Sequence, residues 1–153
     1  MGTHYKGKKS DVRAMDAYLK LMRAADTLES HSLKHIKDAG LTASQFGVLE
    51  ALLHLGPLQQ SVISEKLLKS GGNITMVIDN LEKRELIRRV INPEDRRCVK
   101  VHLTDKGRHL IAAVFPEHVT FVTSIMSSLS SDEQELLAAL CRKLGLGAAN
   151  QTP

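Results

Sequence analysis

The sequence is short of several things at once. It has no tryptophan, two tyrosines and three phenylalanines in 153 residues, so aromatic residues make up 3% of the chain. Any core must therefore be built from Leu, Ile, Val and Met. The two cysteines, Cys98 and Cys141, are far apart and match no disulfide or zinc framework. A reducing cytoplasm is the expected compartment. There is no Walker loop, dinucleotide fingerprint, HExxH or CxxC pair, and Gly145-Leu146-Gly147 follows no strand pattern. An enzyme is not expected, and neither is a cofactor or a bound metal. No apolar run reads as long enough to cross a bilayer and no signal peptide is read at the start, so no membrane partner is expected either.

What is present is an ordinary globular composition, 42% hydrophobic and 25% charged, with net charge +4. That charge is unevenly spread. Between Lys83 and Arg108 nine Lys/Arg face four Asp/Glu, a balance of +5, which leaves −1 for the rest of the chain. A basic field concentrated in one segment attracts a polyanion.

Periodicity predicts the elements. Residues 1–10 read as a mobile basic tail. A long helix is expected from about Asp11 to Asp38, with Val12, Met15, Leu19 and Met22 at three-four spacing and Tyr18, Leu21, Ala25 and Leu28 widening the stripe. Gly40 should end it. Thr42-Ala43-Ser44-Gln45 is a capping box opening a second helix that Gly56-Pro57 stops. A third helix is read over Gln60–Lys69, a turn over Lys69-Ser70-Gly71-Gly72, and a fourth helix over Gly72–Arg84. The fourth carries Ile74, Val77, Ile78 and Leu81 on one face. Ile87–Ile91 reads as a strand. Val99, Val101 and Leu103 alternate with Cys98, Lys100 and His102 in another, and Arg96-Arg97 lie at the turn between them. A helix is expected from Thr104, with Pro116 kinking or restarting it. Ser130-Ser131-Asp132-Glu133 is a second capping box, opening a last helix with Leu136, Leu137, Leu140 and Leu144 that Gly145 ends. The fold class is mainly α with a small β-wing (α+β). It is a winged helix-turn-helix core, about 42–104, flanked by apolar helices, about 11–39 and 105–145. Those helices look like a dimerisation region, and 146–153 form a tail.

With its apolar residues turned inward, the fourth helix presents Asn73, Thr75, Met76, Asp79, Asn80 and Lys83. Asn can bond adenine in two places, and Thr and Met can pack on a thymine methyl. Ser70, Gly71 and Gly72 permit close backbone approach at the helix start, where outward amides suit phosphate. This points to double-stranded DNA as partner.

The motifs Ile63-Ser64-Glu65-Lys66-Leu67, Asn73 through Glu82, Leu86-Ile87-Arg88-Arg89, Pro93-Glu94-Asp95-Arg96-Arg97 and Leu103-Thr104-Asp105-Lys106-Gly107 occur here at consistent spacing. In these the chain resembles the MarR family of winged helix-turn-helix transcription regulators over nearly its whole length. The resemblance implies a homodimer, a palindromic operator, and repression relieved by a small ligand or by oxidation. It implies a wing-tip pair at Asp95 and Arg97, with Arg97 in the minor groove, Asp95 orienting an arginine and Arg96 on a phosphate. Arg88 and Arg89 are candidate phosphate contacts, as are Gln59 and Ser61. One departure is Glu85, where the family often has Gly.

The resemblance also implies an effector site for a phenolic or other aromatic compound, with Tyr18, Met22, Phe46, His54 and Phe115 as candidate lining. Alternatives are a winged-helix protein-interaction module, or a metal- or thiol-responsive regulator of the same fold. His31 and His35 share a helix face as metal ligands would. His109 and His118 would have to be brought to them by the fold. Cys98 follows the wing arginines, and Cys141 is expected to be inert core.

Overall fold

The structure, a computed structural model, describes residues 2–67, 71–91 and 98–149. Among the described residues six helices and three short strands follow in order. They are α1 (Lys9–Asp38), α2 (Ala43–Leu55), β1 (Leu58–Gln59), α3 (Gln60–Lys66), α4 (Gly71–Lys83), β2 (Ile87–Ile91), β3 (Val99–Leu103), α5 (Asp105–Met126) and α6 (Ser131–Ala149). The fold is mostly helical with one antiparallel sheet in the order β1-β3-β2. The chain divides into two compact units, Met1–His118 and Val119–Pro153, with the boundary inside α5.

In the first unit the helix ends follow local chemistry. Gly40 has φ +69. Its amide reaches the Lys37 carbonyl, and the Leu41 amide reaches that of Ile36. These two bonds satisfy carbonyls that α1 would leave bare. Thr42 and Gln45 exchange reciprocal bonds of 3.0 and 3.2 Å at the start of α2. The Thr3 amide donates to Asp16, which also takes the Lys20 ammonium, so the start of the chain is tied to α1. Ile36, Phe46, Leu49, Leu52, Ile63, Ile78, Leu81 and Ile111 form the core.

The joint between α4 and β2 departs from the usual chemistry. Glu85 has φ +60, a conformation that favours glycine. The Glu85 amide still reaches the Glu82 carbonyl and the Leu86 amide that of Leu81, the same double closure as at Gly40. The cost of roughly 1 kcal/mol for a side chain there is offset by bonds from the start of α5. Thr104 Oγ1 donates to the Glu85 carbonyl at 2.6 Å, and Lys106 Nζ donates to that of Arg84 at 2.9 Å. Gly107 is required at this joint, because a Cβ there would lie 1.9 Å from the Leu86 carbonyl oxygen.

Several expectations need correction. The third helix ends at Lys66 rather than Lys69. The strand Leu58–Gln59 was not foreseen; it exists by pairing with β3, Leu58 opposite Val101 and Gln59 opposite Lys100. Helix α5 continues through Pro116 without restarting. Proline there removes one amide, and the Ala112 carbonyl that loses its donor lies on an exposed residue open to water. By length and composition α5 would suffice to cross a bilayer, contrary to the reading of the sequence. Its centre carries Pro116-Glu117-His118, poorly suited to a bilayer midplane, and its Ile111 and Val114 are buried in the first unit's core.

In the second unit Ser130 and Glu133 make the expected capping box, at 2.8 and 3.3 Å. The Gln134 side chain donates to the Met126 and Leu129 carbonyls, closing the turn between α5 and α6. Helix α6 runs through Gly145 to Ala149 instead of stopping there. Cys141, expected in the core, is exposed, as are Leu136, Leu140 and Leu144 of the apolar stripe it borders.

Candidate nucleic-acid interface

Helices α3 and α4 make the helix-turn-helix. Ile74, Val77, Ile78 and Leu81 are buried, which fixes the rotation of α4 about its axis. Asn73, Thr75, Met76 and Asn80 are consequently exposed, Met76 to 60%. Gln60, at the start of α3, donates to Thr75 Oγ1 at 2.5 Å, and Thr75 donates to the Gly71 carbonyl at 2.9 Å. The Thr75 hydroxyl thus ties the two helices. A Cβ at Gly71 or Gly72 would meet nothing within 4 Å, so packing does not require glycine at either position.

The hairpin register places Arg88 opposite His102 and Val90 opposite Lys100. These four share the face opposite to the buried Ile87 and Val101. His102 has its pKa lowered, first by burial and then by the charges of Arg88 and Lys100. Lys100 extends the basic surface begun by Arg88, while His102 between these charges is pushed toward its neutral form. The sequence reading counted Lys100 in the basic segment and both residues in the strand alternation, but named neither as a candidate contact; following Arg88 across the paired strands would have done so. Gln59 donates to Sγ of Cys98, just before β3, at 3.0 Å.

Arg89 points the other way. Its guanidinium bonds Asp79 Oδ1 at 2.5 Å and Glu82 Oε2, and its backbone N–H donates to Glu82 Oε1 at 2.9 Å. Burial works to lower its pKa, and the bonds to Asp79 and Glu82 outweigh that and hold it raised. Ser70, Asp95, Arg96 and Arg97 lie outside the described residues.

Of the candidate effector residues, Phe46, His54 and Phe115 lie along the contact of α2 with α5. The His54 and Phe115 rings are 4.6 Å apart, and Phe46 is 4.7 Å from His118. Tyr18 and Met22 are elsewhere, exposed on α1 to 56% and 42%. Of the two histidines that the fold would have had to bring to the His31 and His35 pair, His118 meets His35, Nδ1 to Nε2, at 3.1 Å. No local signal could have shown it, since the two are 83 residues apart. His31, the suggested partner of His35, instead has Nδ1 on its own helix at Thr27. His118 has its pKa lowered, first by burial and then by His35, with Glu50 opposing. Among the described residues no three His, Cys, Asp or Glu are grouped to hold a metal ion.

Comparison with known proteins gives this geometry a context. The model of the MarR family matches residues 41–99, from just before α2 to the start of β3. The chain is 38% identical over 138 residues to the HTH-type transcriptional regulator MhqR of Bacillus subtilis (strain 168), covering 89% of this chain and 94% of that protein. It resembles the structure of Bordetella bronchiseptica BpsR, whose DNA binding is regulated by 6-hydroxynicotinic acid. That match has TM-score 0.74 and 29% identity, over 84% of this chain and 98% of that one. AbsC, a MarR family transcriptional regulator from Streptomyces coelicolor, matches with TM-score 0.83 at 19% identity, over 96% and 100% of the two chains, a likeness of fold.

Proposed function

The chain belongs to the MarR family of transcriptional regulators, and from that premise we propose that it is a homodimeric, cytoplasmic repressor that binds a palindromic DNA operator. The observation that carries this reading is the exposed row Asn73, Thr75, Met76 and Asn80 on α4, and the paired strands that follow it add a face carrying Arg88 and Lys100. The α4 side chains read bases in the major groove. Gly72 and Ser70 let backbone approach a phosphate. Arg88 and Arg96 contact phosphates, and Arg97, oriented by Asp95, enters the minor groove. Binding isotherms on a duplex selected from a random pool and on its scramble, at several salt concentrations, test this. Preference for the selected duplex, with affinity falling steeply as salt rises, is the expected result. Equal affinity for both duplexes would overturn the reading.

The releasing signal is a hydroxylated aromatic compound. The rings of Phe46, His54 and Phe115 and the neighbouring imidazoles supply apolar faces and hydrogen-bonding nitrogens. BpsR, which responds to 6-hydroxynicotinic acid, supports the same ligand class. Tyr18 and Met22 complete the site across the dimer. A thermal-shift screen with phenols, hydroxylated aromatic acids and divalent metals checks the class. A response to metals alone would redirect the assignment.

A further inference from the structure

The two adjacent arginines of β2 have opposite surroundings. Arg88 lies on the exposed face opposite His102. Arg89, opposite Val101, is half-buried and meets two carboxylates of α4. We propose that Arg89 is a positioning residue, clamping the wing to the DNA-reading helix through Asp79 and Glu82 rather than contacting phosphate.

Geometry and charge both carry this. The guanidinium spans two carboxylates three residues apart on α4, an arrangement that suits a planar fork and not a point charge. Glu82 uses both oxygens on one residue, taking the Arg89 guanidinium and its backbone amide. β2 is an edge strand, so that amide leaves the ladder and Glu82 caps it. Three bonds thus join the C-terminal half of α4 to the middle of β2. The charge balance is unfavourable for a phosphate contact, because one cation is shared by two carboxylates and the cluster is net negative. Asp79 lies one helical turn beyond Thr75, close to the base-reading row, and Arg89 keeps its charge compensated there. The clamp sets the angle at which the wing leaves the reading helix.

The role in DNA recognition rests on the regulator reading; the clamp itself can be measured without DNA. The test uses the full-length protein as wild type, Arg89→Gln, Glu82→Gln, Arg89→Lys and the Arg89→Gln/Glu82→Gln double variant. Hydrogen exchange in the free protein is expected to speed up at β2 and β3 by about tenfold in each single variant. Core amides of α2 should stay as in wild type, which also confirms folding. On the selected duplex, each Gln variant is expected to lose about tenfold in affinity. The double variant should lose no more than either single, because one contact is removed once. Arg89→Lys keeps the charge and should still fail to restore binding. A phosphate contact would behave otherwise. Glu82→Gln would then bind as tightly as wild type or more so, Arg89→Lys would rescue, and the losses would add. Any of those results, or unchanged exchange in the wing, overturns the clamp. Failure of the wild type to prefer any duplex would count against the regulator reading, and the exchange measurement would still decide the clamp.

Discussion

Helices α4 and α6 both carry apolar side chains at three- and four-residue spacing, and the fold treats them in opposite ways. The α4 stripe, Ile74, Val77, Ile78 and Leu81, is at most 7% exposed. The α6 stripe is open, with Leu136, Leu140 and Leu144 at 60%, 55% and 57%. Covering α4 are α2, α3 and β2 of the same chain. Within its own unit the α6 stripe stays exposed among the described residues. An apolar stripe therefore states a need for cover without saying what supplies it. The exposed Met15, Tyr18 and Met22 on α1 repeat the point at the other end of the chain. Under the proposed function a second copy covers these faces.

The largest effect should separate the two helices directly. Leu81→Ala leaves a cavity in a fully buried site and is expected to cost about 2–5 kcal/mol of folding stability. Leu140→Ala should change the folding of an isolated chain by no more than about 0.5 kcal/mol and weaken self-association instead. Denaturant titration and sedimentation velocity on both variants read the two quantities. If Leu140→Ala destabilises as much as Leu81→Ala and leaves the association state unchanged, the contrast is false.

A smaller effect divides the two sides of α4. Asn73→Ala, on the exposed side, should leave the denaturation midpoint close to wild type. It should cost about 1–3 kcal/mol of binding to the selected duplex and relax preference at one base position. Equal loss on every sequence would move Asn73 from base reading to backbone contact.

How much of this was legible depended on how local the cause was. The closures at Gly40, Thr42 and Ser130 each need a few consecutive residues, and all were readable. Strand β1 was not, because two residues become a strand only by meeting Val101 and Lys100. Neither was the end of α6, since Gly145 can stop a helix but nothing beyond it here demands a stop. Arg88 and Arg89 look alike in sequence. Alternation assigns them opposite faces, but only the packing of β2 on α4 brings Asp79 and Glu82 to Arg89. The His35–His118 contact lay furthest out of reach, because it depends on the docking of α1, α2 and α5 together.

The smallest effect comes from that contact and acts in the first unit alone. His118 is held neutral, mainly by burial and then by its neighbour His35. Its folded pKa lies below the ordinary histidine value of about 6.5, so below that value the unfolded chain binds the extra proton more readily. The stability this group contributes is full above about pH 6.5 and is lost as pH falls toward the folded value. His102 is shifted in the same direction and adds to the slope. Asp16, lowered from 3.8 chiefly by Lys20, acts only in a more acidic window. Thermal denaturation between pH 7.5 and 5 should therefore show a falling midpoint. His118→Phe keeps a ring against Phe46 and removes the proton, so it should flatten part of that fall, and His102→Gln should remove a further part. Leu140→Ala, away from these groups, should leave the slope intact. A slope identical in wild type and His118→Phe would show that the imidazole pair does not resist protonation. The contact between α1 and α5 would then be a matter of packing alone.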